Sequence, residues 1–600
     1  MSSVRLITLE QWRKDAKPFF FQGREVLGSF MLSTQAKESL KEDYKNILEG
    51  KIQYFNNKWI NVGLPYNWHH NPDSNYEYPK DVHWAYIPDL ATENGDIKYV
   101  WEKSRFSFLY TVIRHDQHLG TDSSTFVFGL ISDWIIKNPL NQGPNYKCSQ
   151  EISLRLLNWT FALYYYKNSN LLTEELFAQT LNSMRQQLIH VYKNIHFSRL
   201  TVRNNHAITE TLALYLISVL FPSIPEATKY MQQGKHWFEE EIAYQIYGDG
   251  SYLQFSMNYH RVVVQLLTWA VELSKLNRID LSITTLQKAK ITTNFLYQHQ
   301  DEHTGRLPNY GANDGALFFK LSQESFLNYR PQINALYCVL ENEHLYTPAD
   351  HHEDAWWFKG GKLNIDHVKP IQKVSLFRAD EGGFYVMRSK THFAMIRCGK
   401  HKDRPQQADQ NHLDLWYKGQ NIVRDNGSYK YNTDPNTVNY FSGTASHNTL
   451  QISDLNQMLK GGRFIWYYWS QSEKVETENT PLYISLSAIA QVYRYISEDI
   501  RHHRRVKQYQ EEARWDVTDT FLCSNTLNGP FKQTWHLSDD FYELGFEIRC
   551  FDRAGNELLG QRLEAWHSPV YGEKQASSAI QFTSDEPYFS TTISKNTNLP

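Results

Sequence analysis

The spacing of apolar residues changes once along this 600-residue chain, and that change restricts the fold more than any other feature. From about residue 100 to 345 the apolar positions recur at helical steps. Ile152, Leu156, Leu157 and Phe161 form one such face; Leu176, Leu181, Met184, Leu188 and Val191 form a second; Val263, Leu266, Leu267 and Ala270 form a third. At least six helices follow one another with short polar loops and no strand between them. That succession, without a strict repeat, suits a helical array or toroid better than a simple bundle. After a connector from Thr347 to Gly361 the period becomes two. Phe384–Arg388, Phe393–Arg397, Thr449–Ile452, Leu482–Leu486 and Trp515–Asp519 alternate as strands do. The chain therefore divides into a helical domain over 1–350 and an all-β domain over 351–600, the latter a two-sheet sandwich. Residues 1–100 mix short helical pieces with an aromatic loop around Trp68, His69, His70 and Trp84.

Composition narrows the function. The 62 basic and 65 acidic residues leave a net charge of −3, so there is no global footprint for nucleic acid. No apolar run is long enough for a membrane span. Five widely scattered cysteines, with no CxxC pair, argue against a disulfide framework and against a thiolate metal site. Met1 to Phe21 carries charges where a signal peptide needs its apolar centre. The expected location is periplasmic or secreted if this is a mature form, and otherwise cytoplasmic. Aromatic residues make up 14%; most are expected in the core, and some along a groove, stacked on sugar faces.

Asn204-Asn205-His206 stands where the helical run Ala207 to Phe221 begins. Asparagine is a favoured helix cap, and one of the two is expected to cap. A second amide and an imidazole exceed that need. Such donors can bind a carboxylate. A proton alpha to a uronate carboxylate is very weakly acidic, and donors on the carboxylate stabilise the dianion formed when it leaves. Asn258-Tyr259-His260 opens a second run, Val262 to Leu276. Tyr259 shares a face with Val263 and Leu266, which fits a wall tyrosine or a general acid. A phenol titrates near about 10 and needs a cationic or donating partner before it can serve as a base. The loop Pro308 to Gly315 is rich in turn residues, and Tyr310 and Asn313 are expected to line a cleft. Downstream of Arg404, a strand carries His412, Asp414 and Trp416 on one face. Asp425 follows in Arg-Asp-Asn-Gly and His447 in Ser-His-Asn-Thr. A histidine, a carboxylate and an amide oxygen could hold a divalent ion; the alternative is unrelated turn residues.

In this order, the segments resemble the heparinase II/III superfamily of polysaccharide lyases, over most of the chain. The most specific elements are Asn-Asn-His before a helix, Tyr-His opening a later one, and the series Lys418-Gly419-Gln420-Asn421, Asp425-Asn426-Gly427-Ser428-Tyr429 and His447-Asn448-Thr449. The resemblance implies an N-terminal incomplete α/α toroid followed by a C-terminal antiparallel β-sandwich. It implies cleavage of uronate-containing glycans by β-elimination, leaving 4,5-unsaturated uronate ends. The implied substrate is heparan sulfate, heparin or another acidic, including bacterial, polysaccharide, held between the domains. It implies that Asn205 neutralises the carboxylate with His206 beside it, and that Tyr259 donates the proton. Asp425 and His447 become metal ligands, and Gln407 falls where family members ligate through histidine or glutamine. The ion, zinc or calcium, is structural, and no organic cofactor is implied. One departure stands out: the family's catalytic histidine falls on Pro405, which cannot be a base. His412 or Tyr259 is then expected to take the proton. Arg404, Asn204, His260 and Tyr310 are expected to bind substrate.

Two other classes compete. A glycoside hydrolase on a toroid needs two carboxylic acids across the bond; Glu239, Glu240, Glu241 and Asp249 are available, but outside the Asn-His and Tyr-His segments. A non-catalytic glycan-binding relative is the other.

Overall fold

Helix Ser149–Tyr165 is buried on nearly every residue, and so is helix Asn205–Leu220. A helix enclosed all round belongs at the centre of its unit. Leu109–Leu119, Ser124–Lys137, Glu174–His196 and Ala227–Gln245 run in the same unit. The aromatic content is largely explained here: Phe161 meets Phe19, Phe21, Tyr110, Trp269 and Trp357. Asn205–Leu220 and Ala227–Gln245 approach closely at Gly234, where a Cβ would lie 2.6 Å from the Tyr215 backbone nitrogen. That closeness brings Gln245 to the start of the neighbouring helix, where its Nε2 donates to the Asn204 carbonyl at 3.0 Å.

This computed structural model describes residues 7–89, 91–363, 367–462 and 464–596. Residues 1–6 of the stretch read for a leader lie outside the described residues. Two compact units emerge from internal contacts. The first comprises Met1–Gln245, Arg261–Thr293 and Gly315–Pro370; the second comprises Ile246–His260, Asn294–Asp314 and Ile371–Pro600. The second unit therefore gathers two segments from within the stretch read as the helical domain, 1–350. No helix among the described residues is long and apolar enough to cross a membrane, and the five cysteines are free.

The β part of the second unit is antiparallel throughout its named pairings. A five-stranded meander runs Leu376–Ala379, Phe384–Arg388, His392–Arg397, His412–Tyr417, Gln420–Val423. Its last strand reaches a four-stranded sheet through a bridge between Val423 and Leu537, so the two together make one layer. The other layer has seven strands. In that sheet the last strand of the chain, Tyr588–Lys595, sits between Arg514–Leu522 and Phe546–Phe551. Tyr483–Gln491 alternates perfectly between half-buried and buried residues, which is the period-two signal seen in the sequence. One apolar cluster takes residues from all three sheets, including Met387, Ile396, Leu486, Val506, Val517, Trp535 and Phe582.

Candidate functional site

In the first unit, helix Glu174–His196 passes into a π-helical turn, Phe197–Val202, and Arg203 then adopts φ 44°. Asn204 caps the next helix, its side-chain oxygen accepting from the His206 N–H at 2.9 Å. Of the two asparagines, the first is thus the cap, and Asn205 begins the helix, almost fully enclosed. His206 is half-buried, with Nδ1 3.9 Å from the Cys148 sulfur. One turn on, Glu210 receives a hydrogen bond from the Ser198 hydroxyl at 2.7 Å, tying the helix to the π turn. Burial pushes the Glu210 carboxyl up to about 8, so near pH 7 it is mostly protonated. Sequence reading missed this residue, because a lone glutamate in an apolar run carries no partner signal.

In the second unit, Tyr259 opens a helix near its N-terminal end. Its N–H donates to the Ser256 hydroxyl at 3.1 Å, fixing the first turn of helix Met257–Leu276. Its phenol oxygen lies 2.6 Å from that of Tyr431. Burial first, then the Asp314 charge, hold the phenol well above its ordinary value, and a hydrogen bond to Asp314 acts in the same direction. The Tyr259 phenol therefore stays protonated near neutral pH. Neither Tyr431 nor Asp314 was legible as a partner. Asp314 lies in a loop read only for its turn residues, and Tyr431 is one of 38 tyrosines.

Nearby in the same unit, His412, Asp425 and His447 bring their ligand atoms within 4.8 Å of one another, all buried. His447 Nδ1 is 2.9 Å from Asp425 Oδ2, and His412 Nε2 is 3.7 Å from the same oxygen. The Gly427 N–H donates to Asp425 Oδ1 at 2.7 Å. Only glycine fits at 427: φ is +80°, and a Cβ would lie 2.2 Å from the Ser568 carbonyl. Burial pulls His412 down to about 3. Burial also opposes charging of His447, but the Asp425 carboxylate overcomes it and raises that imidazole. The Nε2 atoms of His412 and His447 are buried without a hydrogen-bond partner, which fits a site that could take an ion. Two imidazoles and a carboxylate could hold a divalent metal.

The cluster is braced from the sandwich interior. On strands whose inward positions should be apolar, Arg504 and Asp519 are fully buried. Arg504 makes a two-pronged contact with Asp519, Nε and Nη2 each 2.7 Å from a carboxylate oxygen. Its Nη1 donates at 2.6 Å to the carbonyls of both Asn411 and Asn448. These residues precede His412 and follow His447. Asp519 also bonds His502 at 2.7 Å and accepts from Gln533 at 2.7 Å.

The family model described as heparinase II/III N-terminus matches residues 23–302, and that described as heparinase II/III-like, C-terminal matches 372–595. The chain belongs to the heparinase II/III-like family. The heparin-sulfate lyase of Bacteroides thetaiotaomicron is 24% identical over 450 residues, covering 69% of this chain and 57% of that protein. The heparin-sulfate lyase of Pedobacter heparinus is 23% identical over 525 residues, covering 84% and 72%. The chain thus spans little more than half the length of the first relative. A crystal structure of heparinase III matches with a TM-score of 0.67 at 16% identity, over 98% of this chain and 89% of that one. The fold is shared: an incomplete α/α toroid followed by an antiparallel β-sandwich.

Within this heparinase II/III-like chain several site residues differ from the sequence reading. His412, expected as a base, is fully enclosed and stands in the His/Asp/His cluster. Gln407, expected as a ligand, lines a pocket with Tyr431, and its Oε1 is buried without a hydrogen-bond partner, as are the Nε2 atoms of His412 and His447. His260, expected to face substrate, is internal, between the rings of Tyr252 and Phe295. Its imidazole is drawn down to about 3 by burial. Tyr310 is likewise enclosed; its hydroxyl accepts from Arg397 Nε at 3.1 Å and bonds Asp409. Arg404 is exposed and Pro405 buried. The reason is common to His412, His260 and Tyr310: spacing reveals which residues share a strand or helix face, but not which face is closed by a distant segment.

Proposed function

We propose that the protein is a polysaccharide lyase that cleaves uronate-containing glycans of the heparin and heparan sulfate type by β-elimination. The observation that carries this reading is the buried, protonated Tyr259, hydrogen-bonded to Tyr431, in a chain whose curated relatives are heparin-sulfate lyases. In the proposed reaction Asn205 donates to the uronate carboxylate and stabilises the negative charge that builds there. His206, half-buried on the same turn, takes the C5 proton in place of His412. The C4–O bond breaks as Tyr259 gives its proton to the departing oxygen, and a C4–C5 double bond remains. No water is consumed. A metal held by His412, Asp425 and His447 is proposed to be zinc, fixing the loops around Asp425 rather than touching substrate.

The test is ultraviolet absorbance of the unsaturated product, followed with heparan sulfate, heparin and alginate. Growth of absorbance is expected, and Asn205→Ala is expected to lower kcat by about 100-fold or more. New reducing ends without absorbance would mean hydrolysis instead. For the metal, removal by a chelator is expected to lower the melting temperature, and added zinc to restore it. The His447→Ala variant should carry no stoichiometric metal by elemental analysis. A chelator without effect on a protein that had carried metal would dismiss the structural role.

A further inference from the structure

The pocket beside Tyr431 has a chemistry of its own. It lies within the second unit, and its lining includes Gln406, Gln407, Ser428, Lys430, Tyr431 and Lys460; none of its lining residues is acidic. Through Tyr431 it adjoins the Tyr259 hydroxyl. Lys460 stands on a short hairpin, Leu459–Lys460 paired with Trp466–Tyr467. The turn is closed by the Gly461 N–H donating to the Ile465 carbonyl at 2.9 Å and the Ile465 N–H donating to Gly462 at 3.0 Å. The Lys460 ammonium lies 4.2 Å from the centre of the Trp466 ring and donates to the Ser442 hydroxyl at 3.3 Å. Its ordinary value is drawn down to about 8 by burial, with no neighbouring carboxylate acting on it. A half-buried cation held by a ring and a hydroxyl, but without a counter-charge, is completed by an anion.

The same hairpin supplies apolar surface. Phe464 packs edge-on to Tyr431 with ring centres 5.7 Å apart. Phe464, Ile465 and Tyr467 are all more than two-fifths exposed. Large exposed apolar side chains gathered on one hairpin mark a contact surface, and aromatic rings suit the flat C–H faces of sugars. The geometry points to a subsite for an anionic substituent, a sulfate or a carboxylate, on a sugar unit of the bound glycan, with Lys460 as its anchor and Phe464 as its apolar wall. It rests on the lyase reading for the identity of the glycan.

The experiment measures calorimetric binding of size-defined uronate oligosaccharides, sulfated and unsulfated on one backbone, beside initial cleavage rates. Wild type, Lys460→Met, Lys460→Gln and Lys460→Arg are compared, each checked for an unchanged melting temperature. Lys460→Met and Lys460→Gln are expected to weaken binding by about tenfold or more and to reduce its dependence on salt. Lys460→Arg should keep most of the affinity. A loss confined to sulfated ligands identifies the anion as sulfate, and an equal loss on both identifies it as carboxylate. Unchanged binding of both ligands by a folded Lys460→Met or Lys460→Gln protein overturns the subsite. A wild type that binds but cleaves nothing overturns the lyase reading alone, since the binding data still judge Lys460. One that binds neither ligand overturns both.

Discussion

Replacing Tyr259 by phenylalanine is expected to lower kcat by about a thousandfold with little change in KM or melting temperature. Phenylalanine fills the same volume, so the first turn of its helix keeps its packing. What disappears is the proton and the contact with Tyr431 at 2.6 Å. Without a donor the departing glycosidic oxygen must leave as an alkoxide, which is the step an acid of this kind relieves. Tyr431→Phe removes the partner but not the proton and should have a smaller effect. The pH profile gives an independent check. An acid works in its protonated form, below its own titration point, and burial with Asp314 holds Tyr259 well above the ordinary phenol value. Activity should therefore show no alkaline loss from this group below about pH 10. A fall in kcat of less than tenfold in Tyr259→Phe would remove it from the acid's part.

The second large effect concerns stability. Arg504→Met and Asp519→Asn are each expected to destabilise the protein by about 3–5 kcal/mol, because each leaves a buried partner uncompensated. Chemical denaturation followed by tryptophan fluorescence reads the loss; Trp515 and Trp535 lie in the sandwich core. The double variant Arg504→Met, Asp519→Asn should lose less than the sum of the two singles. Metal content should also fall in Arg504→Met, since the carbonyls on both sides of the cluster lose their donor. The sign with pH is fixed. Burial raises the Asp519 carboxyl, but Arg504 and His502 outweigh it, and the folded value lies well below the usual range. Its stabilisation is complete above about pH 4 and is lost as the pH falls further. A single variant within 1 kcal/mol of wild type would rule out this bracing role.

How far the sequence could be read depended on whether the controlling contact was local. Strand Phe384–Arg388 is found with the bounds read from its alternation, and His412, Asp414 and Trp416 do lie on one strand. The Asn204 cap follows from a preference that acts over one turn. The grouping of Ile246–His260 and Asn294–Asp314 with the β part left no mark in periodicity, because it depends on contacts far apart in the chain. His412 shows the same limit within the site. A strand pattern gives its face, but only the approach of Asp425 and His447 makes it part of a cluster. Arg504 and Asp519 run against the alternation altogether, as charged residues at inward positions. Such breaks are explained only once their partners are known.

The place of the final strand bears on how the protein is made. Tyr588–Lys595 lies inside the seven-stranded sheet, joining strands that precede it by dozens of residues. During synthesis the neighbouring strands emerge first and must wait with open hydrogen-bonding edges, which invite pairing with other chains. The seven-stranded layer can close only when Tyr588–Lys595 has emerged. Ser568, whose carbonyl leaves no room for a Cβ at Gly427 and whose N–H donates to the Asn426 carbonyl at 2.7 Å, is also made after that loop. The Asp425 loop is thereby completed by residues made much later than itself, and until Tyr588–Lys595 is paired the open edges of its two neighbours favour aggregation.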